Sequence, residues 1–213
     1  MTAPALHRLD APGRSTGLVL LLHGGQPDSL EPVGDRSTSW LRSRAMQRQI
    51  AGRLHAHGVG LWLLRYSHRG WNAASGLHPS PVPDARWALD RVRREVGELP
   101  VVLLGHSMGA RTAVAVADDD LVTGVIALAP WLPPDEPVRA LEGKHLVAAH
   151  GRADRITSFR ATEAFVRRAG SVAASTELVD MGGLGHYMLR GLRRWNDVAV
   201  TRSLKFVQEH AER

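Results

Sequence analysis

The feature that most constrains the fold is an alternation of short apolar runs with amphipathic segments along the chain. The apolar runs are mostly continuous, which is typical of strands buried on both faces of a sheet. Strands that are separated by helices form parallel sheets with helices on both faces. The sequence therefore predicts an α/β fold with a mostly parallel sheet. The predicted strands are residues 18–22, 60–66, 101–104, 122–129, 145–149 and 176–180.

Helical spacing of apolar residues fills the intervals between these strands. In the first helix, Leu41, Met46, Ile50 and Leu54 are expected on one buried side. A loop rich in Gly, Pro and Ser runs through residue 83, and Asp84 is expected to cap the helix after it. The first helix is predicted near residues 38–57, and further helices are predicted near residues 110–117, 157–169 and 195–209.

No linker, repeat or low-complexity segment interrupts this order, so residues 1–213 are expected to form a single domain. With 44% hydrophobic residues, the chain can bury one sizeable core. Only about fifteen residues separate the strands that end at 129 and begin at 145, where a cap could be inserted. A minimal or absent cap is therefore expected.

Composition excludes several classes of protein. The chain has no cysteine, which excludes disulfides, thiolate metal ligation and cysteine catalysis. The first ten residues lack the apolar segment of a secretory signal, and no run approaches the ~18 apolar residues of a membrane span. A cytoplasmic protein without a membrane span is the resulting expectation.

The net charge of +6 invites a nucleic-acid-binding interpretation. Of the 27 basic residues only Lys144 and Lys205 are lysines, and the arginines are scattered rather than clustered. We interpret them as a solvated surface and expect no nucleic-acid partner. Four arginines near the predicted strand ends could favour anionic substrates, but solvated surface is the preferred interpretation for each. They are Arg65, Arg69, Arg111 and Arg155.

The pentapeptide Gly-His-Ser-Met-Gly at residues 105–109 follows the apolar run 101–104 and precedes a helical segment. A serine in such a strand-to-helix turn is a candidate nucleophile, because the tight turn directs its Oγ outward. Glycines two residues to either side are needed where the chain passes too close for a Cβ. Residues 13–17 match the same pattern but precede a strand and follow no apolar run. We therefore predict Ser107 as nucleophile and Ser15 as a loop residue.

A serine nucleophile needs a histidine base, and that histidine needs an acid to orient it. His186 lies in a glycine-rich loop after the last predicted strand, and Asp154 lies just beyond the strand before it. All three residues would emerge at the carboxyl edge of a parallel sheet. Asp135, after the preceding strand, is the alternative acid. His23 and His106 are interpreted as structural residues that hold the neighbouring loops.

With Ser107, Asp154 and His186 in this order, the chain resembles the α/β-hydrolase family over nearly its whole length. The resemblance implies an oxyanion hole formed by the backbone N–H of Met108 and that of Gly25, with Gln26 as the alternative to Gly25. It also implies that the early antiparallel strands are reduced, with room for at most one short strand around residues 6–9. A small, open hydrolase is expected.

The predicted reaction is hydrolysis of a carboxylic ester or thioester through an acyl-enzyme, with a small-molecule acyl substrate and no metal or organic cofactor. Peptidase or perhydrolase chemistry on the same triad stays open, as does a catalytically inactive ligand-binding module. The oligomeric state is left open. Four residues are candidates to line the substrate pocket: Trp71, Trp131, Tyr187 and Met188.

Overall fold

A computed structural model describes residues 3–73 and 79–211. Its centre is a seven-stranded sheet in the order β1-β3-β2-β4-β5-β6-β7. β1 pairs antiparallel with β3, and every other pairing is parallel. The predicted mostly parallel sheet is confirmed, with one short antiparallel strand at its edge. The strands are β1 Ala5–Leu9, β2 Gly17–Leu22, β3 Val59–Arg65, β4 Val101–His106, β5 Val122–Leu128, β6 His145–His150 and β7 Ser175–Asp180.

Helices cover both faces of this sheet. α1 and α5 contact each other on one face, and α2 and α3 contact each other on the opposite face, while α4 packs on β6 and β7. This arrangement confirms the predicted α/β class with helices on both faces of a mostly parallel sheet. The helices are α1 Thr38–His55, α2 Pro81–Val96, α3 Met108–Ala115, α4 Phe159–Ala169 and α5 Leu192–Ala211.

The burial of the central strands explains why their sequences are continuously apolar. Every residue of β2, β4 and β5 is buried, because helices lie over both faces of these strands. Continuous apolar runs are therefore required, and an alternating pattern would expose polar groups to the core. β7, at one edge of the sheet, is only partly buried and carries polar residues. Burial of the central strands gives the rigid platform from which the site residues project.

The expected position of Leu41 was wrong. Met46, Ile50 and Leu54 are buried as predicted, whereas Leu41 is 51% exposed. Leu41 precedes Met46 by five residues, which places it about 140° around the helix at 100° per residue. It therefore lies off the buried stripe, and Trp40 is buried in its place.

Asp84 is not the cap of its helix. α2 begins at Pro81, and its first turn contains two prolines, whose missing N–H groups cost little there. The Asp84 carboxylate accepts hydrogen bonds from the N–H and Oγ of Ser67, at 2.7 and 3.0 Å. Residues 74–78 of the loop predicted before this helix lie outside the described residues.

Chain reversal within the sheet defines where a site can form. From β2 the chain moves to β3 on one side, and β4 returns to pair with β2 on its other side before the chain continues to β5. The carboxyl ends of β2 and β4 thus flank a topological switch point, where open α/β sheets bind ligands. Between β5 and β6, residues 129–144 contribute one 3-10 helix at Arg139–Leu141 and no cap domain. Within the described residues, no helix has the length and apolar character needed to cross a bilayer.

Candidate active site

Ser107 occupies the turn between β4 and α3 in a strained conformation. Its φ is 56° and its ψ is −116°, a region that residues with a Cβ rarely adopt. The flanking glycines are fixed by close packing: a Cβ at Gly105 would lie 2.4 Å from the nitrogen of Ala110, and one at Gly109 would lie 2.1 Å from the carbonyl oxygen of Leu22. Only glycine allows the turn to be this tight.

The second match to the same sequence pattern lies elsewhere. Gly17 begins β2, so Ser15 lies at the amino end of that strand, at the opposite edge of the parallel sheet from Ser107. The structure brings neither a histidine nor a carboxylate to hydrogen-bond with Ser15 among the described residues. Sequence context therefore separated two identical patterns that lie at opposite edges of the sheet.

Ser107, His186 and Asp154 form one chain of hydrogen bonds. The Ser107 Oγ lies 3.0 Å from Nε2 of His186, and Nδ1 of His186 lies 2.8 Å from Oδ2 of Asp154. His186 is in the loop after β7, and Asp154 follows β6. The alternative acid Asp135 is exposed, and the structure places Asp154 in its stead beside His186. The arrangement fits a neutral imidazole that donates from Nδ1 and accepts at Nε2.

The Asp154 carboxylate is held by donors on both oxygens. Oδ1 accepts from the backbone N–H of Ile156 and Thr157 at 2.8 and 2.9 Å. Oδ2 accepts from Oγ1 of Thr157 at 2.9 Å in addition to the bond from His186. Burial by itself raises the pKa of Asp154, but hydrogen bonds from His150, His186 and the two backbone N–H groups outweigh burial and hold this pKa well below its ordinary value. The carboxylate therefore stays charged beside His186.

His150, the last residue of β6, is a second histidine on the same carboxylate. Its Nε2 lies 3.1 Å from Oδ2 of Asp154, and its Nδ1 lies 2.7 Å from Oγ1 of Thr162. Both side chains, His150 and Asp154, are fully buried. Sequence reasoning missed His150; the available signal was a polar residue directly after the apolar run at residues 146–149.

His106 and His23 hold the loops around the site. His106 Nε2 lies 2.9 Å from the carbonyl oxygen of His186, and His23 Nδ1 lies 2.7 Å from that of Gly24. Burial lowers the pKa of His106 to about 3 and that of His23 to about 4. Both rings are therefore neutral at physiological pH, and each donates to a backbone carbonyl. His106 thus fixes the loop that carries His186.

Gly25 and Met108 face each other across the switch point. A Cβ at Gly25 would lie 2.4 Å from Cε of Met108 and 2.4 Å from the carbonyl oxygen of Arg69. The N–H of Gln26 donates to that same Arg69 carbonyl at 2.9 Å. Among the described residues, none accepts a hydrogen bond from the backbone N–H of Gly25 or Met108. These two amides are available to an oxyanion, whereas the Gln26 amide is occupied.

A cavity of about 340 Å³ opens beside Ser107 and His186. This volume is within the range of small-molecule sites. Of the four predicted pocket residues, Tyr187 lines this cavity. Tyr187 and Met188 also line an adjoining apolar groove between α1 and the start of α5.

Trp71 and Trp131 lie together beside the site and do not line this cavity. Their ring centroids are 6.2 Å apart, and the Arg111 guanidinium lies over both rings at 4.2 and 4.6 Å. Arg111 also pairs with the carboxylate of Glu136. The three side chains form a packed unit next to the nucleophile turn, where the N–H of Trp131 donates to the carbonyl of Ser107 at 3.2 Å.

The arrangement of possible metal ligands is described for residues 3–73 and 79–211. In that part of the chain, no group of three or more His, Asp or Glu side chains is arranged to hold a metal ion. The groups at the cavity that can take part in acyl transfer include the hydroxyl of Ser107, the imidazole of His186 and backbone amides.

Solved structures share this fold at low sequence identity. An alpha-beta serine hydrolase homologue from Coxiella burnetii has a TM-score of 0.69 and 19% identity, covering 93% of this chain and 91% of that one. Est1E from Butyrivibrio proteoclasticus, solved with ferulic acid bound, has a TM-score of 0.69 and 14% identity, covering 96% of both chains. A serine hydrolase without a lid from Xanthomonas campestris has a TM-score of 0.64 and 19% identity, covering 96% and 95%. Identities this low show the shared fold alone.

Sequence comparisons give the family. No curated protein sequence matches the chain. The sequence model of the alpha/beta hydrolase family, in contrast, matches residues 19–207, which is most of the chain. The chain therefore belongs to the alpha/beta hydrolase family.

Proposed function

We propose that this chain is a serine hydrolase that cleaves a carboxylic ester or thioester through an acyl-enzyme intermediate. The observation that carries the proposal is the unbroken line of hydrogen bonds from Ser107 Oγ through His186 to Asp154, with distances of 3.0 and 2.8 Å. These distances are within the range that proton transfer between a nucleophile and its base requires.

In the first half of the reaction, Ser107 forms the acyl-enzyme. His186 Nε2 removes the hydroxyl proton while Oγ attacks the substrate carbonyl, and Asp154 stabilises the imidazolium that results. When the tetrahedral intermediate collapses, the bond to the leaving alcohol or thiol breaks and His186 returns the proton to the leaving group. The products are a free alcohol or thiol and the Ser107 ester.

In the second half, water takes the place of the leaving group. His186 removes a proton from water, the hydroxide attacks the acyl carbonyl, and Ser107 leaves with the proton that His186 then returns. A carboxylic acid is released, and the enzyme is restored without an oxidant, reductant or cofactor. The open cavity beside Ser107 supports access for a small acyl substrate and for water.

The backbone N–H groups of Gly25 and Met108 are proposed to stabilise the oxyanion in both halves. Preorganised donors of this kind need no reorientation as negative charge develops. Two facts favour Gly25 over Gln26: the Gln26 amide already donates to Arg69, and any side chain at residue 25 would collide with Met108.

A fluorophosphonate probe tests the proposal most directly. The native protein should be labelled, and peptide mass mapping should locate the label on Ser107. Ser107→Ala should not be labelled. Ser15→Ala, the same substitution in the second Gly-x-Ser-x-Gly sequence, is the control and should be labelled like the native protein. Absence of labelling on the folded native protein would contradict the hydrolase proposal and favour an inactive ligand-binding module.

The type of substrate is tested by a panel of esters. p-Nitrophenyl esters of graded chain length, measured beside acyl-CoA thioesters, separate an esterase from a thioesterase through the ratio of kcat/KM values. Peptide and peracid-forming activities use the same constellation and belong in the same panel. A single domain, a small-molecule acyl substrate and a cytoplasmic location remain predictions of the sequence.

A further inference from the structure

The cavity beside Ser107 is bordered by positive charge. Three arginines line it, and none of the described residues that line it is acidic. The first turn of α1 lines the same cavity through Thr38 and Ser39. Helix N-termini and arginines both favour anions, so the charge character of the cavity is uniform. The three arginines are Arg36, Arg42 and Arg69.

These arginines differ in how their charges are compensated. Arg69 is neutralised, because its Nη1 lies 2.6 Å from the carboxylate of Glu31 and its Nε donates to the carbonyl of Pro32 at 3.1 Å. Within residues 3–73 and 79–211, neither Arg36 nor Arg42 has a carboxylate partner. Arg36 is exposed to solvent, whereas Arg42 is half-buried. Only Arg42 thus combines burial with an uncompensated charge.

Arg42 is held at the wall of the catalytic cavity. Its guanidinium lies 4.9 Å from the ring centroid of Tyr187, the residue that follows His186. The pKa of His106 is lowered first by burial and then by nearby charges, Arg42 among them. Burial also lowers the pKa of Arg42 itself, yet a guanidinium remains charged at neutral pH. A half-buried cation without a counterion leaves hydrogen-bonding capacity that a ligand can fill.

We propose that Arg42 binds an anionic group, a carboxylate or a phosphate, that the substrate carries close to its scissile carbonyl. The inference rests on the proposed hydrolase function and narrows its substrate class. The planar guanidinium can donate two parallel hydrogen bonds to either group, and it lies beside the ring of Tyr187. Because Ser107 and Arg42 line one cavity of about 340 Å³, the anion and the reacting carbonyl would belong to the same small molecule.

Two pairs of substrates test the proposal and locate the anion. Mono-p-nitrophenyl adipate and p-nitrophenyl hexanoate have acyl groups of equal length and differ by a carboxylate. 1-Hexanoylglycerol 3-phosphate and 1-hexanoylglycerol share an acyl group and differ by a phosphate on the leaving group. The charged member of at least one pair should have a kcat/KM about tenfold to a hundredfold higher, as charge-assisted hydrogen bonds provide.

Variants assign this preference to Arg42. In Arg42→Gln the ratio of kcat/KM values for charged and uncharged substrates should fall close to one, and Arg42→Lys should keep part of it. Arg48→Gln removes an exposed arginine from the same helix outside the cavity and should keep the native ratio. In the native protein, added salt should reduce the ratio, which tests the charge without any substitution.

The outcomes separate the two proposals. If the folded native protein hydrolyses none of the four substrates and resists the fluorophosphonate probe, the hydrolase proposal fails. If it is labelled and hydrolyses esters, but shows no preference for the charged member of either pair, the Arg42 proposal alone is overturned. A preference that survives in Arg42→Gln overturns it as well.

Discussion

The two sides of His186 are built differently. On one side, the Asp154 carboxylate is buried and receives hydrogen bonds on both oxygens, from His150, Thr157 and His186 among others. On the other side, the cavity is open, and the guanidinium of Arg42 has no carboxylate partner in the described parts of the chain. The first side satisfies its polar groups internally, and the second does not.

From this difference we expect the Asp154 side to position His186 and the cavity side to recognise the substrate. A fully satisfied network holds its members in one geometry and contributes through the rate of the chemical step. An unsatisfied cation beside a cavity contributes only when a ligand arrives, and so acts through substrate selectivity. Substitutions on the acid side should therefore lower kcat, while those around Arg42 should change the preference among substrates.

The largest effect is expected at the point where the two sides meet. Ser107→Ala should lower kcat by about 10⁶ because the attacking atom is lost, while the fold is kept. Steady-state ester hydrolysis measures the change, and circular dichroism checks the fold. Ser15→Ala should match the native enzyme, and equal losses in the two variants would show that strand context does not identify the nucleophile.

The next largest effect concerns the acid. Asp154→Asn should lower kcat by about 10⁴, because the amide favours the wrong tautomer of His186 and cannot stabilise the imidazolium. Asp135→Asn, an exposed site after β5, is the matched control and should retain native kcat. Measurement of kcat for both variants decides whether Asp154 or Asp135 orients His186. The reverse result would require the triad to be redrawn with Asp135.

A smaller effect should follow from His150, which positions Asp154 without touching substrate. His150→Phe removes one donor from the carboxylate, so kcat should fall about tenfold and the free energy of unfolding by about 1.5–3 kcal/mol. The pKa of Asp154 should rise toward its ordinary value, so the profile of unfolding free energy against pH should change, with the contribution of this carboxylate to stability smaller and completely lost at a higher pH. His150→Gln keeps a donor and should restore most of both losses. An unchanged pH profile in His150→Phe would mean that His150 only fills space.

The last effect concerns stability alone, because the free energy of unfolding should depend on pH through His23 and His106. Their folded-state pKa values of about 4 and about 3 lie below the ordinary value of 6.5, so the unfolded chain binds more protons within that interval. Their contribution to stability is complete above pH 6.5 and declines as the pH falls toward 4. Each histidine should add up to about 1.4 kcal/mol per pH unit to the slope.

Denaturant unfolding at several pH values measures this slope. His106→Gln should reduce it, whereas His57→Gln, at an exposed site after α1, should leave it unchanged. Equal slopes in all three proteins would contradict the assignment.

The ionised Asp154 behaves differently, because its contribution to stability is complete above its ordinary pKa and is lost only as the pH falls through the lower folded-state pKa.

The sequence predicted what local pattern controls. The apolar run before Ser107 and the paired glycines identified the turn, because buried parallel strands and tight turns restrict residue type strongly. The pairing of His150 with Asp154 could not be predicted, since it depends on how β6 and the loop after it fold back. The position of Arg42 at the cavity could not be predicted either, because only tertiary packing decides which arginine of a helix faces a cavity. The arginines predicted near the strand ends illustrate this, because Arg65, Arg69 and Arg111 are paired with acids.

The backbone of Ser107 has a consequence for how such a protein can change over evolution. A residue with a Cβ at a φ of 56° and a ψ of −116° costs roughly 1–3 kcal/mol, which glycine would not. Ser107→Gly should therefore stabilise the fold and, under the proposed mechanism, abolish turnover. Selection for thermal stability alone would therefore favour glycine at residue 107, in a protein that is more stable and inactive. Under the proposed mechanism, the serine at residue 107 supplies the nucleophile and lowers the stability of the fold.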